Sequence, residues 1–121
     1  MKLTVSLKSD KPIYEQIFNQ IVSQIISGEL EADFCLPSIR SVAKELCISV
    51  ITIKTAYEML EQNGFIYTRA GVGCFVAAHS PKHLENRKLE IASTKIQEDI
   101  VYYKGLGIAK EELLGLIKKL F

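Results

Sequence analysis

The sequence predicts a mainly α-helical fold with a small β-wing, a winged helix-turn-helix followed by a helical tail. One observation is a pair of short amphipathic helices joined by a tight turn, over residues 39–63. Another is a pair of short strands, residues 65–68 and 74–78, around a glycine-containing tip. Polar side chains gather at the start of the second of these helices, where such a fold meets a DNA groove, and apolar ones face inward.

The N-terminal part begins with an alternation of apolar and polar residues over 3–7, which predicts a short half-buried strand. Pro12 then opens a helix that continues to Gly28, a typical C-terminal stop. Isoleucines recur every four residues along this helix. They are Ile13, Ile17, Ile21 and Ile25. This spacing puts one apolar stripe on the face that packs against a core.

The next two helices have clear start and stop signals. Ser38 is predicted to cap the helix over 39–46, and Cys47 with Ile48 forms the turn. Ser49 caps the following helix, which stops at Asn63-Gly64. The inward face of that helix is predicted from its spacing. It consists of Ile53, Ala56, Tyr57 and Leu60.

Ser80-Pro81 marks a boundary between a DNA-binding domain, residues 1–78, and a two-helix segment, residues 79–121. Apolar residues recur every seven positions in the first tail helix, and Gly105-Leu106-Gly107 separates it from a last helix over 109–120. Two such helices cannot bury their apolar faces alone, so we expect a homodimer through this segment. The residues expected in the dimer contact are Leu89, Ile96, Ile100, Tyr103, Leu113, Leu116 and Ile117.

Composition limits the partners. A chain of 121 residues, 48% hydrophobic, fits one domain with an appendage. The net charge is +1, and residues 1–78 hold seven Lys/Arg against eight Asp/Glu. A DNA-binding domain with this balance must place a few cations well, because its bulk charge attracts no polyanion.

Several other classes of protein are not expected. No run of about 18 apolar residues suggests a membrane span, and residues 1–6 lack the apolar run of a signal peptide. The odd count of three cysteines, Cys35, Cys47 and Cys74, and the apolar neighbours that flank each of them favour buried free thiols in a reducing cytoplasm. His79 and His83 share a helical spacing without the further ligands of a metal site. We expect neither a cofactor nor catalytic residues, since no triad-like arrangement or phosphate loop is present.

The chain resembles the GntR family of bacterial transcription regulators through motifs spread over residues 10–78. These motifs include Pro12-Ile13-Tyr14-Glu15-Gln16-Ile17, Gly28-Glu29-Leu30, Leu36-Pro37-Ser38-Ile39-Arg40, Gly64-Phe65-Ile66 and Gly71-Val72-Gly73. The short tail resembles the YtrA-like subfamily of compact dimeric repressors. The resemblance implies a repressor of a small operon, such as one encoding an ABC transporter, that binds a pseudo-palindromic operator in double-stranded DNA.

The resemblance also implies roles for particular residues. Arg40 matches an arginine that contacts phosphate and base, Ser49 and Thr52 match hydroxyls that touch DNA, and Lys54 matches a basic contact. Gly71 matches the wing tip that enters the minor groove, and Arg69 beside it is the only Lys or Arg of the hairpin. The expected DNA-binding set is Ser38, Arg40, Ser49, Val50, Thr52, Lys54, Arg69 and Gly71.

Three positions depart from the family pattern. Val50 stands where some relatives carry a base-reading arginine, so guanine recognition at that position is in doubt. Cys47 replaces a common glycine, so the turn must be reached with a Cβ present. Cys74 replaces the usual threonine after the wing glycines.

Alternatives to DNA contact remain for each residue and for the whole chain. Arg40 could pair with Glu45 or Asp33 on the surface, while Thr52 and Lys54 could simply face solvent. The rival function is a winged-helix module that binds another protein and no DNA; salt dependence of binding would distinguish the two. A small-molecule effector is a third possibility, and the tail is so short that such a ligand would have to lie between subunits.

Overall fold

The computed structural model describes residues 1–121, apart from the side chain of Pro81, as two compact units, Met1–Pro81 and Lys82–Phe121. The elements of the first unit are α1 (Ile13–Ile26), α2 (Ile39–Leu46), α3 (Val50–Gln62), β1 (Ile66–Arg69) and β2 (Gly73–Val76). The second unit consists of α4 (Pro81–Gly105) and α5 (Lys110–Leu120). The mainly helical winged helix-turn-helix predicted from the sequence is confirmed.

The core of the first unit lies where α1 and α3 cross and where the wing strands close over them. The isoleucine stripe of α1 faces the core as predicted: Ile13 is half-buried, Ile25 is buried, and Ile17 and Ile21 are fully inaccessible to solvent. On α3, Ile53 and Leu60 are equally inaccessible, and Tyr57 is 3% exposed. Each such side chain contributes on the order of 1.5–3 kcal/mol through burial, so α3 is held firmly in the unit.

The predicted strand over residues 3–7 is wrong. These residues form no strand, although Leu3 and Val5 are half-buried against the core as the alternation suggested. Side chains of α1 take the place of a partner strand. The side-chain amide of Gln20 donates to the Thr4 carbonyl at 2.6 Å and accepts from the Thr4 N–H at 2.9 Å. Gln16 pairs with the backbone of Ser6 in the same way, at 2.9 and 3.0 Å.

A match of spacings explains this arrangement. Four residues of α-helix rise about 6.0 Å, and two residues of extended chain span about 6.6 Å. Glutamines four residues apart on α1 therefore bond to the backbone of every second residue in the N-terminal segment. Gln24 continues the series by donating to the Lys2 carbonyl at 2.6 Å. The segment is extended and hydrogen-bonded, but its partners are side chains.

The turn between α2 and α3 is made by Cys47 in the left-handed region, with φ 55° and ψ 44°. The following N–H, that of Ile48, donates to the Ala43 carbonyl at 2.9 Å and closes the helix end. Cys47 thus adopts a left-handed conformation that is strained for a residue with a Cβ and that glycine would adopt without strain. The prediction that the turn forms with a Cβ present is confirmed.

The prediction of buried cysteines is wrong. All three thiols are free, but Cys35 and Cys47 are exposed and Cys74 is only half-buried. Cys47 lies at a helix end, which is at the surface, and Cys35 pairs with Phe75 in a β-bridge at the edge of the wing. Apolar sequence neighbours therefore did not indicate the environment of these side chains.

In the second unit, α4 ends at Gly105, and Gly107 follows it in the left-handed region at φ 80°, while the Ile108 N–H donates back to the Tyr103 carbonyl at 3.1 Å. At the start of α5, the Ala109 N–H donates to Glu112 Oε1 at 3.1 Å. Among described residues 82–121, no side chain is buried. No described helix in either unit combines the length and apolar character needed to cross a membrane.

Candidate nucleic-acid interface

The first turn of α3 presents two hydroxyls in a fixed arrangement. Ser49 caps the helix as predicted, because its Oγ accepts from the Thr52 N–H at 3.2 Å. The same Oγ lies 2.8 Å from Thr52 Oγ1, so the two hydroxyls share one hydrogen bond. Only one of their two protons is used in it, and the other remains to be donated to an outside acceptor such as a phosphate oxygen.

Arg40 lies exposed in the first turn of α2, which Ser38 caps by accepting from the Ser41 N–H at 3.1 Å. Arg40 forms no ion pair with any described residue, and Asp33 instead accepts a hydrogen bond from the Tyr67 hydroxyl at 2.6 Å. Its pairing with Glu45 or Asp33, the surface alternative, is therefore absent from the described chain. The guanidinium stands beside a helix N-terminus, where backbone N–H groups add positive potential.

Tyr57 connects the two helices that carry these groups. Its ring is in the core, and its hydroxyl donates to the Pro37 carbonyl at 2.7 Å, directly before the Ser38 cap. Burial raises the pKa of the Tyr57 phenol well above its usual range, with a further contribution from the Cys74 and Cys35 thiols. The hydroxyl thus stays protonated, and the start of α2 is held at a fixed position relative to α3.

The outward face of α3 is apolar at its first turn. Ile51 is 75% exposed and Val50 is 46% exposed. Residue 51 precedes the fully buried Ile53 by two positions, which is about 200° around the helix, so its side chain points away from the core. We predicted a DNA role for Val50 but not for Ile51. The available signal was the helical spacing, which already required some apolar residues of this turn to face outward.

Further along the same face, Lys54 is exposed and its Nζ lies 3.9 Å from Glu58 Oε1. The pair is solvent-exposed on both sides, with side-chain exposures of 63% and 57%, and such a pair is weak. Glu61, near the end of the helix, accepts from the Thr68 hydroxyl of β1 at 3.1 Å. The cation therefore lies near the N-terminal half of α3 and the carboxylates near its C-terminal half, so only the N-terminal half can approach a polyanion favourably.

The wing is an antiparallel hairpin whose last pair is Arg69 opposite Gly73, with residues 70–72 at the tip. The Val72 N–H donates to the Arg69 carbonyl at 2.9 Å and closes the turn. Gly71 has φ 74° and open space around the position of a Cβ. A side chain at residue 71 would therefore strain the turn even though nothing blocks it.

A third segment supports the base of the hairpin. The Leu36 N–H donates to the Cys74 carbonyl at 2.8 Å, and the Val76 N–H donates to the Phe34 carbonyl at 2.9 Å. On the outer face, the rings of Tyr67 and Phe75 stack with centroids 5.5 Å apart. Arg69, which is exposed, is thus carried by a braced hairpin and not by a loose loop.

The sequence profile described as "Bacterial regulatory proteins, gntR family" matches residues 13–76. The match runs from the first residue of α1 to the last residue of β2, and so spans all of the candidate interface. The chain is 33% identical over 111 residues to the uncharacterized HTH-type transcriptional regulator YhcF of Bacillus subtilis, covering 92% of this chain and 91% of that one. It is 27% identical over 118 residues to the HTH-type transcriptional repressor YtrA of the same organism, covering 98% and 91%.

Solved structures show the same relationship. A transcriptional antiterminator from Listeria monocytogenes superposes with a TM-score of 0.78 at 33% identity, covering 99% of this chain and 90% of that one. The DNA-binding domain of AraR, solved in complex with an operator, gives a TM-score of 0.57 at 28% identity, covering 64% and 99%. The AraR domain was therefore crystallised with operator DNA, a ligand that the exposed polar groups of this site could bind.

Proposed function

We propose that this chain, which belongs to the GntR family of bacterial regulatory proteins, is a homodimeric transcriptional repressor that binds a pseudo-palindromic operator. The observation that carries this proposal is the N-terminal half of α3. This part of the helix carries a hydroxyl proton that is free to be donated, exposed apolar side chains, and a lysine in a weak ion pair. The opposite face of the helix is buried in the core and fixes its position. The solved complex of the AraR domain with an operator supports the same ligand class.

Each polar group of the interface has a distinct role in this proposal. Arg40 binds phosphate beside the N-terminus of α2, and Ser38 contributes as the cap of that helix. Ser49 and Thr52 donate one proton between them to the backbone of DNA. Lys54 leaves its carboxylate partner to contact a phosphate.

The wing contributes a second contact with DNA. Arg69 is the only Lys or Arg of the hairpin sequence, and it lies one residue before the tip. In the proposal Arg69 contacts a phosphate or the minor groove, and Gly71 brings the backbone of the tip close to the sugar-phosphate wall. The hydrogen bonds that link residues 34–36 to β2 hold the hairpin in position for this contact.

The second unit supplies the dimer contact in this proposal. Its helices expose large apolar side chains, among them Leu89 at 60%, Ile96 at 55% and Ile117 at 51%. Ile100, Tyr103 and Leu113 are half-buried, and Leu116 is 46% exposed. An exposed apolar set of this size on a unit with no buried described side chain is the pattern of an interface between subunits.

The regulated unit that we propose is a small operon, such as one encoding an ABC transporter. A small-molecule effector, where the cell uses one, would bind between subunits.

The experiment is selection of binding sites by the purified full-length protein from a random DNA library and from fragments of its own genome. We expect a pseudo-palindromic site, sedimentation as a dimer, and affinity that falls steeply with salt. Arg40→Ala should then lower affinity by roughly 5- to 150-fold while the melting temperature stays the same, since a phosphate or base contact is worth about 1–3 kcal/mol. If the protein enriches no site, or if its affinity for DNA does not change with salt concentration, the proposal is wrong and the alternative of a protein-binding module is favoured.

A further inference from the structure

The first turn of α3 has a composition that helix formation does not explain. Four consecutive residues, Val50, Ile51, Thr52 and Ile53, are β-branched, and each disfavours a helix relative to straight-chain residues. Ile53 is needed in the core, where it is fully buried. Ile51 has no such reason, because its side chain is 75% exposed. A local choice that works against the element and gains nothing from packing is typical of a functional position.

The chemistry of this turn determines which part of DNA it can read. Ile51 and Val50 carry no donor or acceptor, so they cannot recognise guanine, adenine or cytosine by hydrogen bonds. The apolar group that an unmodified base pair presents in the major groove is the 5-methyl of thymine. We propose that Ile51, flanked by Val50, reads the thymine methyl in each half-site and makes these residues determinants of sequence specificity. This inference rests on the proposed function.

The neighbours of Ile51 favour a base contact over a phosphate contact. The Thr55 hydroxyl, one turn further along the helix, donates to the Ile51 carbonyl at 2.9 Å, so its proton is used within the helix. The groups suited to phosphate lie to either side, at the Ser49–Thr52 pair and at Lys54. Phosphate contacts on both flanks would position the apolar side chains between them, toward the floor of the groove.

The test uses the site that the full-length protein selects from the random library. Each thymine of the selected duplex is replaced in turn by deoxyuridine, which keeps every hydrogen-bonding group and removes only the methyl. We expect the loss at one or two thymines of each half-site to be roughly fourfold, the effect of one buried methyl group. Symmetric replacement in both half-sites should lower affinity on the order of 15-fold by the same reasoning.

Ile51→Ala assigns the effect to the residue. In this variant the thymine and uracil duplexes should bind with equal affinity, because the apolar partner of the methyl is gone. Leu7→Ala is the matched control, since Leu7 is an 85% exposed apolar residue outside α3, and it should keep the full difference. Circular dichroism should show both variants folded, with Leu7→Ala melting like the wild type and Ile51→Ala at least as stable, because alanine favours a helix more than isoleucine does.

The outcomes separate the two levels of the proposal. A selected site that binds equally well with uracil at every position would overturn thymine recognition and leave the repressor function intact. The same holds if Ile51→Ala retains the whole thymine preference. Failure to select any site would overturn both thymine recognition and the repressor function.

Discussion

Substitution of Glu58 by Gln should strengthen DNA binding, although it removes an ion pair. In the free protein the Glu58 carboxylate lies 3.9 Å from the Lys54 ammonium. If Lys54 contacts a phosphate in the complex, this pair must open or be shared each time that DNA binds. Glutamine keeps the length and polarity of the side chain, so the variant changes charge and little else.

The magnitude follows from the exposure of the pair. Exposed lysine–glutamate pairs four residues apart on a helix contribute about 0.3–0.5 kcal/mol. If Lys54 contacts a phosphate, the wild type loses up to this amount at α3 of each subunit on binding, and the variant does not. Two helices act in a dimer, so the gain is about 0.6–1 kcal/mol, or roughly three- to fivefold in affinity. The melting temperature of the free variant should fall slightly, by about 2 °C, for the same reason.

Fluorescence anisotropy with the selected operator, over a range of salt concentrations, measures the effect. The gain should be largest at low salt and shrink gradually as added salt screens the charges. Glu85→Gln is the matched control, because it removes an equally exposed carboxylate paired with Lys88 at 3.5 Å in the other unit. Unchanged or weaker binding by Glu58→Gln, with Glu85→Gln equal to wild type, would show that Lys54 does not meet a phosphate.

Two further substitutions test the frame of the interface. Tyr57→Phe should destabilise the protein by about 1–2 kcal/mol, because the Pro37 carbonyl loses the donor that lies 2.7 Å away. Chemical denaturation measures this loss, and an unchanged midpoint would show that water replaces the hydroxyl. Cys47→Gly should stabilise the protein by about 0.5–1 kcal/mol, because the relief of backbone strain at φ 55° exceeds the extra chain entropy that glycine loses on folding. A lower melting temperature would mean that packing of the Cys47 side chain outweighs this strain.

Periodicity predicted the elements that position the interface. The four-residue isoleucine spacing of α1 and the spacing of Ile53, Tyr57 and Leu60 on α3 each required one buried face, and these faces are buried. The caps at Ser38 and Ser49 were equally predictable, because a hydroxyl before an apolar-periodic run has few other uses. Local signals sufficed wherever the partner of a residue lay within one turn.

Signals failed where the partner lay elsewhere in the chain. The alternation at residues 3–7 correctly indicated an extended, half-buried segment, but it could not show that the partners were the amides of Gln16 and Gln20. Glutamines four residues apart were the only trace of this in the sequence. Apolar neighbours likewise suggested burial of Cys35, whose environment depends on its bridge to Phe75.

The small charge of the interface makes the proposed dimer a requirement for tight binding. Three cations, Arg40, Lys54 and Arg69, are the proposed phosphate contacts of one subunit, and three contacts predict a salt slope of about −2.7. A single subunit would therefore hold DNA weakly at physiological salt. Two linked subunits double the slope and turn the second contact into an intramolecular event at an effective concentration in the millimolar range. In the proposed dimer, the apolar side chains exposed on α4 and α5 would therefore determine DNA affinity without touching DNA, and conditions that dissociate the dimer should release the operator.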